Sequence, residues 1–576
     1  MTAHAQRRFD RDLILVAAVA SAVSLLSFLY YFQRGEILLY GDAVAHINIA
    51  RRVFDSQTPG LLQLGTVWLP LPHLLMIPFL VSDWMWRSGV GGSIPSMIAY
   101  VMGVVGIFRL TRGVLQGEGR TRSVARAGAW LAALGYGANP NLIYLQTTAM
   151  TEVLYLALFI WAVVFFAEFL DQKGCGPSGL TGSETRSHTN SSHTLYRCAW
   201  CLAGAELTRY DGWLLAGVVG AIVVVMMLRR WSDRTFRQAA VKFLVGIAAA
   251  PLLWLGYNAT VYGNPLEFAN GPYSARAIEQ RTPQRAHPGA GNVVTAGSYF
   301  LKSAELNMAE GSWGRIWIAI ALGGLVLGGI RTRGRGIVLL LLVPLPFYAL
   351  SIAYGGVPLY LPAWWPFSWY NLRYGVQFLP LFAVSLAVIV SAVSAIANPE
   401  RPAEEGRLAT ALKRSSDTNL LFPTTCAVAL VVVALSYTFV WRWQPLCFTE
   451  ALVNSRAKLA LESSVAKAVS PLPRNSQYLM YLGDHVGVFQ QAGIPLRQVI
   501  NEGNHRPWKK PSDPEDLWER ALADPARYAD FVIAYDGDTV DQAVGTKGLT
   551  LVTEIHAQGQ ARARIYAARA ALNQSR

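Results

Sequence analysis

Apolar stretches close to 20 residues long recur through the first three quarters of the chain. An α-helix of that length crosses the hydrocarbon core of a bilayer, which is about 30 Å thick. Only 15% of the residues are charged, whereas soluble domains have about 25%. The sequence therefore predicts a polytopic α-helical membrane protein. About eleven spans are expected, at residues 13–32, 92–108, 127–145, 152–170, 198–208, 212–228, 241–257, 316–330, 337–353, 374–396 and 421–441.

Two parts of this pattern are irregular. The fifth predicted span, 198–208, is short for a crossing helix. The apolar segment from Val67 to Val81 contains three prolines and His73, and proline interrupts the backbone hydrogen bonds that a spanning helix must complete. We expect that segment to lie in the membrane interface or to re-enter. The first apolar run, Leu13 to Phe32, lacks a clear cleavage site after it and is predicted to remain as a span.

The chain changes character near Arg442. From there on it is polar and charged and has no long apolar run. Strand-like segments, QYLMYL, RQVIN, DFVIAY and TLVTEI, alternate with helical segments around Val486–Ala492 and Glu515–Ala523. This alternation predicts a small α/β layer structure. The predicted division is a transmembrane domain at 1–441 and a soluble α/β domain at 442–576.

The net charge of +14 arises mostly from arginines in alternate short loops. Loops rich in Lys and Arg face the cytoplasm, so the N-terminus is predicted to be cytoplasmic. With an odd number of spans, the C-terminal domain is then extracytoplasmic. This distribution indicates membrane topology and membrane-lipid contact, and we expect no nucleic-acid partner. The predicted inner loops hold Arg7, Arg8 and Arg11; residues 109–126; Arg229, Arg230, Arg234 and Arg237; Arg331, Arg333 and Arg335; and residues 401–414.

The cysteine content gives no sign of a disulfide framework or a metal site. The pair Cys198-x-x-Cys201 lacks a second pair or nearby histidines, so buried thiols are the favoured interpretation. Neither a phosphate-binding P-loop nor a dinucleotide-binding glycine motif occurs. No resident cofactor is predicted, and a divalent metal is compatible with the sequence but not predicted. The five cysteines are Cys175, Cys198, Cys201, Cys426 and Cys447.

The first predicted outer loop, YGDAVAHINIARR, opens a helix-like run at Asp42. Asp42, His46 and Ile49 would share one helical face. One interpretation makes Asp42 the N-cap of this helix. The other makes it a carboxylate at the outer edge of the membrane that accepts a proton from an attacking hydroxyl. Both interpretations remain open at this stage.

Other charges lie at the outer ends of predicted spans. Glu152 opens the fourth span, where it either complements the helix dipole or is a second active-site acid facing Asp42. In GAELTRYDGW, Glu206, Arg209 and Asp211 are predicted to cluster, where Arg209 either forms an ion pair with these acids or faces a lipid phosphate. Arg373 begins the tenth span after an aromatic loop, and either anchors it in the interface or contacts phosphate.

These groups converge on one membrane face, which indicates a cavity at the bilayer edge with carboxylates for base chemistry and arginines for a phosphate. A transporter or lipid flippase is the main alternative. Such proteins place ionisable groups near the middle of the membrane and often show inverted repeats. Charges within the predicted spans are scarce, which favours an enzyme over a transporter.

Together these residues resemble the GT-C glycosyltransferases, in particular the bacterial protein O-mannosyltransferase and aminoarabinose transferase group. The resemblance covers roughly the first 440 residues. It rests on the order of the motifs, and the sequence departs from the commonest pattern by Gly-Asp-Ala in the first loop and by separated prolines in the second motif. The motifs are Asp42, the WLPLPH segment at 68–73, Glu152, the TRYDG segment at 208–212, and Arg373 with Tyr374.

The resemblance implies a polyprenyl-phosphate-linked sugar donor and an acceptor that is a protein, a glycan or a lipid. Asp42 would act as general base, with Glu152 as the second catalytic acid. Arg209 and Arg373 would stabilise the departing lipid phosphate. The expected location is the cytoplasmic membrane, with transfer at its outer face. The expected substrate-binding residues are His46, Arg51, His73, Arg209, Asp211, Arg373 and Tyr374.

Overall fold

The computed structural model describes residues 10–174, 184–281, 287–331, 336–396, 421–504, 514–545 and 548–568. In this part of the chain, nine helical stretches are long and apolar enough to cross a membrane. The predicted membrane part is therefore confirmed. The nine stretches are Arg11–Gln33, Val90–Gly117, Glu152–Gln172, Asp211–Arg229, Arg234–Tyr262, Gly311–Gly328, Ile337–Tyr354, Leu372–Val393 and Leu421–Val469.

The helices of the membrane part are α1 Arg11–Gln33, α2 Gly41–Arg52, α3 Leu71–Leu80, α4 Asp83–Ser88, α5 Val90–Gly117, α6 Arg122–Gly137, α7 Pro140–Leu145, α8 Glu152–Gly174, α9 Glu184–Glu206, α10 Asp211–Arg229, α11 Arg234–Tyr262, α12 Glu267–Asn270, α13 Ala275–Arg281, α14 Val293–Met308, α15 Gly314–Arg331, α16 Ile337–Leu340, α17 Pro344–Tyr354, α18 Leu379–Ile396 and α19 Leu421–Trp443. Short 3₁₀-helices occur at Leu61–Leu64, Gly311–Trp313 and Leu372–Phe378.

The C-terminal part contains the helices α20 Leu446–Val469, α21 Val488–Ala492, α22 Leu517–Ala523, α23 Pro525–Tyr528 and α24 Thr539–Ala543. Its strands are β1 Tyr478–Met480, β2 Val499–Ile500, β3 Phe531–Tyr535, β4 Leu549–Ile555 and β5 Ala563–Ala568, with a 3₁₀-helix at Leu496–Gln498. The four predicted strands and both predicted helices are present, and β5 is an addition that the sequence pattern did not reveal.

Two predicted spans have a different form from the others. The third, 127–145, is divided between α6 and α7, because the side chain of Asn139 accepts hydrogen bonds from two backbone N–H groups of α7 and starts a new helix there. The fifth, 198–208, falls at the end of α9, a helix of 23 residues whose first half is polar. Neither belongs to the nine apolar stretches, so a count of about eleven spans stays a prediction.

The broken apolar segment after the first span contains α3. Pro70 precedes this helix and Pro72 occupies its first turn, where the missing proline N–H costs nothing. The helix has 10 residues, which is about half of the length that a crossing helix needs. The backbone N–H of Leu71 donates to the carbonyl of Leu207 at 3.0 Å, so α3 is fixed beside the end of α9.

Close packing around α5 positions α2. A Cβ atom added to Gly92 would lie 2.5 Å from Cγ1 of Ile47 and 2.8 Å from Cβ of Ala149. A side chain at position 92 would thus push α2 away from α5. The glycine lets the two helices approach closely, and α2 is the helix that carries Asp42.

The C-terminal sheet has the order β2-β1-β3-β5-β4. β1 is parallel to β2 and β3, whereas β5 is antiparallel to β3 and β4. Side chains alternate along a strand, so Phe531 and Ile533 pack in the main hydrophobic core while Val532 and Ala534 pack against α22 and α24. Burial of both faces explains the uninterrupted apolar sequence of β3.

Buried polar contacts join this C-terminal part to α2. Asp55, just beyond α2, accepts from the backbone N–H groups of Leu496 and Arg497 at 3.3 and 3.2 Å, and from Nε of Arg51 at 2.8 Å. Asn48 donates to the carbonyl of Val486 at 3.0 Å. The predicted boundary between 1–441 and 442–576 stays a prediction, and the two parts share a polar interface.

Several expected features lie outside the described residues. These are Cys175, the whole of the basic inner loop at 401–414, and the arginines at positions 7, 8, 333 and 335.

We predict that Asp55→Ala destabilises the protein by about 3–5 kcal/mol, since it leaves the buried Arg51 guanidinium without a charged partner at Nε. The matched control is Arg497→Gln. Its side chain is 63% exposed, and an exposed ion pair contributes only about 0–1 kcal/mol. Thermal unfolding of the purified protein in detergent would measure both. Equal and small shifts in the two variants would show that Asp55 does not carry the interface.

Candidate active site

The guanidinium of Arg373 is bound by carboxylates from three separate parts of the chain. Its Nε donates to Glu152 at 3.1 Å, Nη1 donates to Glu450 at 2.8 Å, and Nη2 donates to Asp42 at 2.7 Å. Asn371, two residues before Arg373, adopts a left-handed conformation with φ of 58°. Asn tolerates this conformation better than most residues. This turn directs Arg373 inward at the start of its 3₁₀-helix.

Arg209, in the turn between α9 and α10, forms the second half of the site. Its Nη1 donates to Glu152 at 3.0 Å and Nε donates to Asp211 at 3.3 Å. Nη2 donates to the hydroxyl of Tyr348 at 2.9 Å, and that hydroxyl donates to Asp211 at 3.1 Å. The predicted Arg209–Asp211 ion pair is therefore present. The predicted third member, Glu206, forms no ion pair with Arg209, and its Oε2 is buried without a hydrogen-bond partner among the described residues.

Glu152 joins the two arginines, because one of its oxygens accepts from both. It is the first residue of α8, where the helix dipole also favours a negative charge. The ring of Tyr374 lies 5.2 Å from the guanidinium carbon of each arginine and stacks on Tyr348 at 4.9 Å. The two positive charges are thus held close together by a shared carboxylate and a shared aromatic ring.

The four carboxylates of this cluster differ in exposure. The side chains of Glu152, Asp211 and Glu450 are each 1% exposed, whereas that of Asp42 is 42% exposed. Only Asp42 can therefore reach a molecule bound at the site without rearrangement. The buried acids hold the arginines, and Asp42 is the carboxylate available for proton transfer.

The interpretation of Asp42 as an N-cap is wrong. The helix α2 begins at Gly41, its N-cap is Tyr40, and no side chain caps it. Asp42 is the second helical residue and its carboxylate contacts Arg373 instead. Interface anchoring by Arg373 is likewise wrong, because its side chain is 9% exposed and bound to carboxylates.

Glu450 is a site residue that the sequence did not reveal. It lies in the first turns of α20, beyond the predicted domain boundary, and also accepts from the backbone N–H of Leu372 at 2.6 Å. The one local signal is an acid in an otherwise apolar helical segment, LCFTEALV. Its partner is 77 residues away, which no local pattern could indicate.

Three of the predicted binding residues lie outside the cluster. Nδ1 of His46 and Nε2 of His73 are 2.8 Å apart, and both residues are buried between α2 and α3. Arg51 donates to Asp55 and Asp83 and lies over the ring of Trp86. These positions favour a structural role for all three side chains, and their predicted contact with substrate stays a prediction.

Burial, and to a lesser extent the positive charges of Arg209 and Arg373, lower the pKa of His46 to about 3. The pKa of His73 is lowered well below its usual range, again mainly by burial. Both rings are therefore neutral near pH 7, and one ring nitrogen donates to the other. A charged pair in this position would be unfavourable.

We predict that the histidine pair makes stability depend on pH. A histidine in the unfolded chain titrates near pH 6.5, so between that pH and about 3 the unfolded state binds the extra proton and stability falls as the pH falls. His46→Gln should reduce the loss of melting temperature between pH 7 and pH 5. The control is His556→Gln, since His556 is 68% exposed. An unchanged pH dependence in His46→Gln would contradict the assignment.

A cavity of about 670 Å³ adjoins the site. Its walls come from α2, the segment around the 3₁₀-helix Leu61–Leu64, the end of α11 and loops of the C-terminal sheet. Ala45, one turn from Asp42, and Trp68, whose ring lies 4.7 Å from that of His46, both line it. The residues of the charged cluster do not line the cavity, which begins one helical turn along α2 from Asp42 and extends toward the C-terminal domain.

The described residues contain no group of three His, Cys, Asp or Glu side chains placed to hold a metal ion. The acids of the cluster are instead bound to Arg209 and Arg373. The expectation of no resident cofactor stays a prediction.

The sequence matches no protein-family model and no curated protein. Among solved structures, it is similar to ArnT from Cupriavidus metallidurans bound to undecaprenyl phosphate, with a TM-score of 0.54 and 14% identity. The apo form of that protein gives a TM-score of 0.52. In both comparisons the match covers 96% of this chain and 97% of ArnT. The chain has the ArnT fold, a GT-C fold, which confirms the predicted helical membrane architecture with a small C-terminal α/β domain.

Proposed function

We propose that the chain is a glycosyltransferase that moves a sugar from a polyprenyl-phosphate donor to an acceptor at the outer face of the cytoplasmic membrane. The observation that carries this proposal is the half-exposed Asp42 set against a buried arginine pair. The arrangement supplies a proton acceptor and a positive charge within one ion-pair distance of each other. The fold supports it, because ArnT, whose structure holds undecaprenyl phosphate, has the same architecture along nearly its whole length.

In the proposed reaction, the oxygen of the acceptor hydroxyl attacks the anomeric carbon of the donor sugar. Asp42 accepts the proton of that hydroxyl during the attack. The bond between that carbon and the phosphate oxygen breaks, and its electron pair leaves with the lipid phosphate. Arg373 and Arg209 stabilise the negative charge that develops on the departing phosphate. Glu152 acts as a positioning residue that holds both arginines, since its side chain is 1% exposed.

The charge balance of the cluster gives Asp42 a second role. The two arginines face four carboxylates, so an incoming phosphate must compete with one of them. Asp42 is the only carboxylate of the four that is substantially exposed, and its bond to Nη2 of Arg373 is the one that a ligand can replace. We infer that the donor phosphate takes this position and releases the Asp42 carboxylate for base catalysis.

The positions of the charges argue for an enzyme and against a transporter. Glu152 and Asp211 are the first residues of α8 and α10, and Arg373 is the second residue of its membrane-spanning stretch. Transport pathways instead place ionisable groups near the middle of the membrane. The cluster is at helix ends, where a lipid phosphate group is located.

We predict that Asp42→Asn leaves the protein folded and lowers sugar transfer by about 10²–10⁴-fold, the usual contribution of a general base. Asn preserves the size of the side chain and removes the charge and proton acceptance. The matched control is Asp83→Asn, since Asp83 also accepts a hydrogen bond from a buried arginine, Arg51, but lies outside the cluster. Release of lipid phosphate from a polyprenyl-phosphate sugar by the purified variants is the measurement. Near-normal transfer by Asp42→Asn would exclude Asp42 as the base.

The proposed orientation has a cytoplasmic N-terminus and an extracytoplasmic C-terminal domain. It rests on arginines at alternate membrane faces, such as those around the turn from α10 to α11: Arg229, Arg230, Arg234 and Arg237. We predict that reporter fusions ending at Gly182 and at Gly503 report opposite sides of the membrane. The same side for both fusions would contradict this topology.

A further inference from the structure

The cavity beside the cluster is built by segments that lie at the ends of spans or outside them. Tyr262, the last residue of α11, lines it, as do Tyr273 and the C-terminal loops that contain Tyr481 and Glu502. A lipid tail would need walls formed by the apolar sides of crossing helices. This cavity is therefore placed for a molecule bound between the membrane part and the C-terminal domain, and its lining combines apolar side chains with a smaller number of polar ones.

Polar atoms converge at one end of the cavity. Arg52 and Gln63 lie on its membrane-domain side, and Asp484 and Glu502 lie on its C-terminal side. Nε of Arg52 and Oε1 of Gln63 are buried and have no hydrogen-bond partner among the described residues. A buried polar atom without a partner is costly, so the protein alone does not complete the hydrogen bonds of the Arg52 and Gln63 side chains, which line the cavity.

This end offers both donors and acceptors. Arg52 can only donate, whereas the carboxylates of Glu502 and Asp484 can only accept when ionised. A phosphate group, like these carboxylates, accepts hydrogen bonds and carries negative charge, so Glu502 and Asp484 would repel it. A sugar hydroxyl both donates and accepts, and a row of hydroxyls satisfies such a mixed set.

The rings that line the cavity fit the same class of ligand. Trp68, Tyr262, Tyr273 and Tyr481 supply aromatic surface, on which the C–H face of a sugar ring can pack. The volume of about 670 Å³ is within the range of pockets that bind small organic molecules. The residues of α2 that line it run from Ala45 to Arg52, about 10 Å along the helix axis.

We propose that this cavity is the acceptor site and that the acceptor is a glycan. The hydroxyl that is glycosylated lies at the Ala45 end, one helical turn from Asp42, and the preceding sugar units occupy the end formed by Arg52, Gln63, Asp484 and Glu502. The proposal rests on the proposed transferase function. It assigns acceptor recognition partly to the C-terminal domain, through the loops at 481–486 and 502–503.

The test measures binding without catalysis. Saturation-transfer NMR on the full-length protein in detergent would use mannotriose, chitotriose and cellotriose as probes, with the tripeptide Ala-Thr-Ala as the hydroxyl-bearing peptide probe. At least one trisaccharide should bind the wild type. Arg52→Gln and Asp484→Asn should each weaken that binding about tenfold, because each removes a charged hydrogen-bond partner.

Arg456→Gln is the matched control for charge, since Arg456 is exposed on α20 and does not line the cavity. Asp484 is exposed, so Asp484→Asn remains informative even where Arg52→Gln does not fold. No trisaccharide binding, stronger binding of the tripeptide, or binding unchanged in both variants would overturn the proposal.

A parallel assay separates this proposal from the proposed function. Release of lipid phosphate from a polyprenyl-phosphate sugar reports donor use alone. Donor use without trisaccharide binding overturns only the acceptor site. Trisaccharide binding that depends on Arg52 and Asp484, with no donor use, supports the cavity as a glycan site and overturns the transferase assignment.

Discussion

The buried guanidinium of Arg373 constrains the arrangement of the whole molecule. It is bound by Asp42, Glu152 and Glu450, which are 331, 221 and 77 residues away in the chain. A buried charge costs several kcal/mol unless partners surround it. The fold must therefore bring α2, α8 and α20 to one point, and α20 belongs to the C-terminal part. The membrane part and the C-terminal part consequently share one electrostatic centre.

The same arrangement separates the carboxylates that position the arginines from the carboxylate that is accessible to a substrate. Glu152 binds both arginines and is almost fully buried, as are Asp211 and Glu450. These acids fix where the positive charge lies but cannot reach a substrate. Asp42 shares the arginine and remains accessible, so burial alone distinguishes one carboxylate from three others of the same chemical type. This difference in exposure supports the proposed division between a base and positioning groups.

Local patterns in the sequence were sufficient for the architecture. Long apolar runs predicted the membrane helices, and the apolar run FVIAY predicted the central strand β3, because both depend on neighbouring residues. Strand β5 was missed because it alternates small, charged and aromatic residues around Arg564 and Tyr566. Its position between β3 and β4 comes from pairing with distant segments.

The site was predictable only in part, because contacts between residues that are distant in the chain are not visible in local sequence patterns. Asp42, Glu152, Arg209 and Arg373 all occur at ends of apolar segments, where a charge is conspicuous. Which of them pair, and which one stays exposed, depends on long-range packing. The N-cap interpretation of Asp42 follows local rules, but Tyr40 occupies that position because the helix starts two residues earlier than an N-cap at Asp42 would require.

The C-terminal domain affects the proposed reaction at two places through one helix. Glu450, in the first turns of α20, contacts Arg373. The same helix packs against α21, which follows the Gly483–Asp484 loop of the cavity wall. A displacement of α20 would therefore move Glu450, which binds Arg373, together with the wall of the cavity. Rigid attachment is provided by the buried contacts that Asn48 of α2 and Asp55, just beyond this helix, make with the C-terminal domain. The same helix lines the cavity and carries Asp42. The proposed base, the proposed acceptor site and the C-terminal domain are thus fixed relative to one another by a single short helix, which is the geometric condition for placing an acceptor hydroxyl against Asp42.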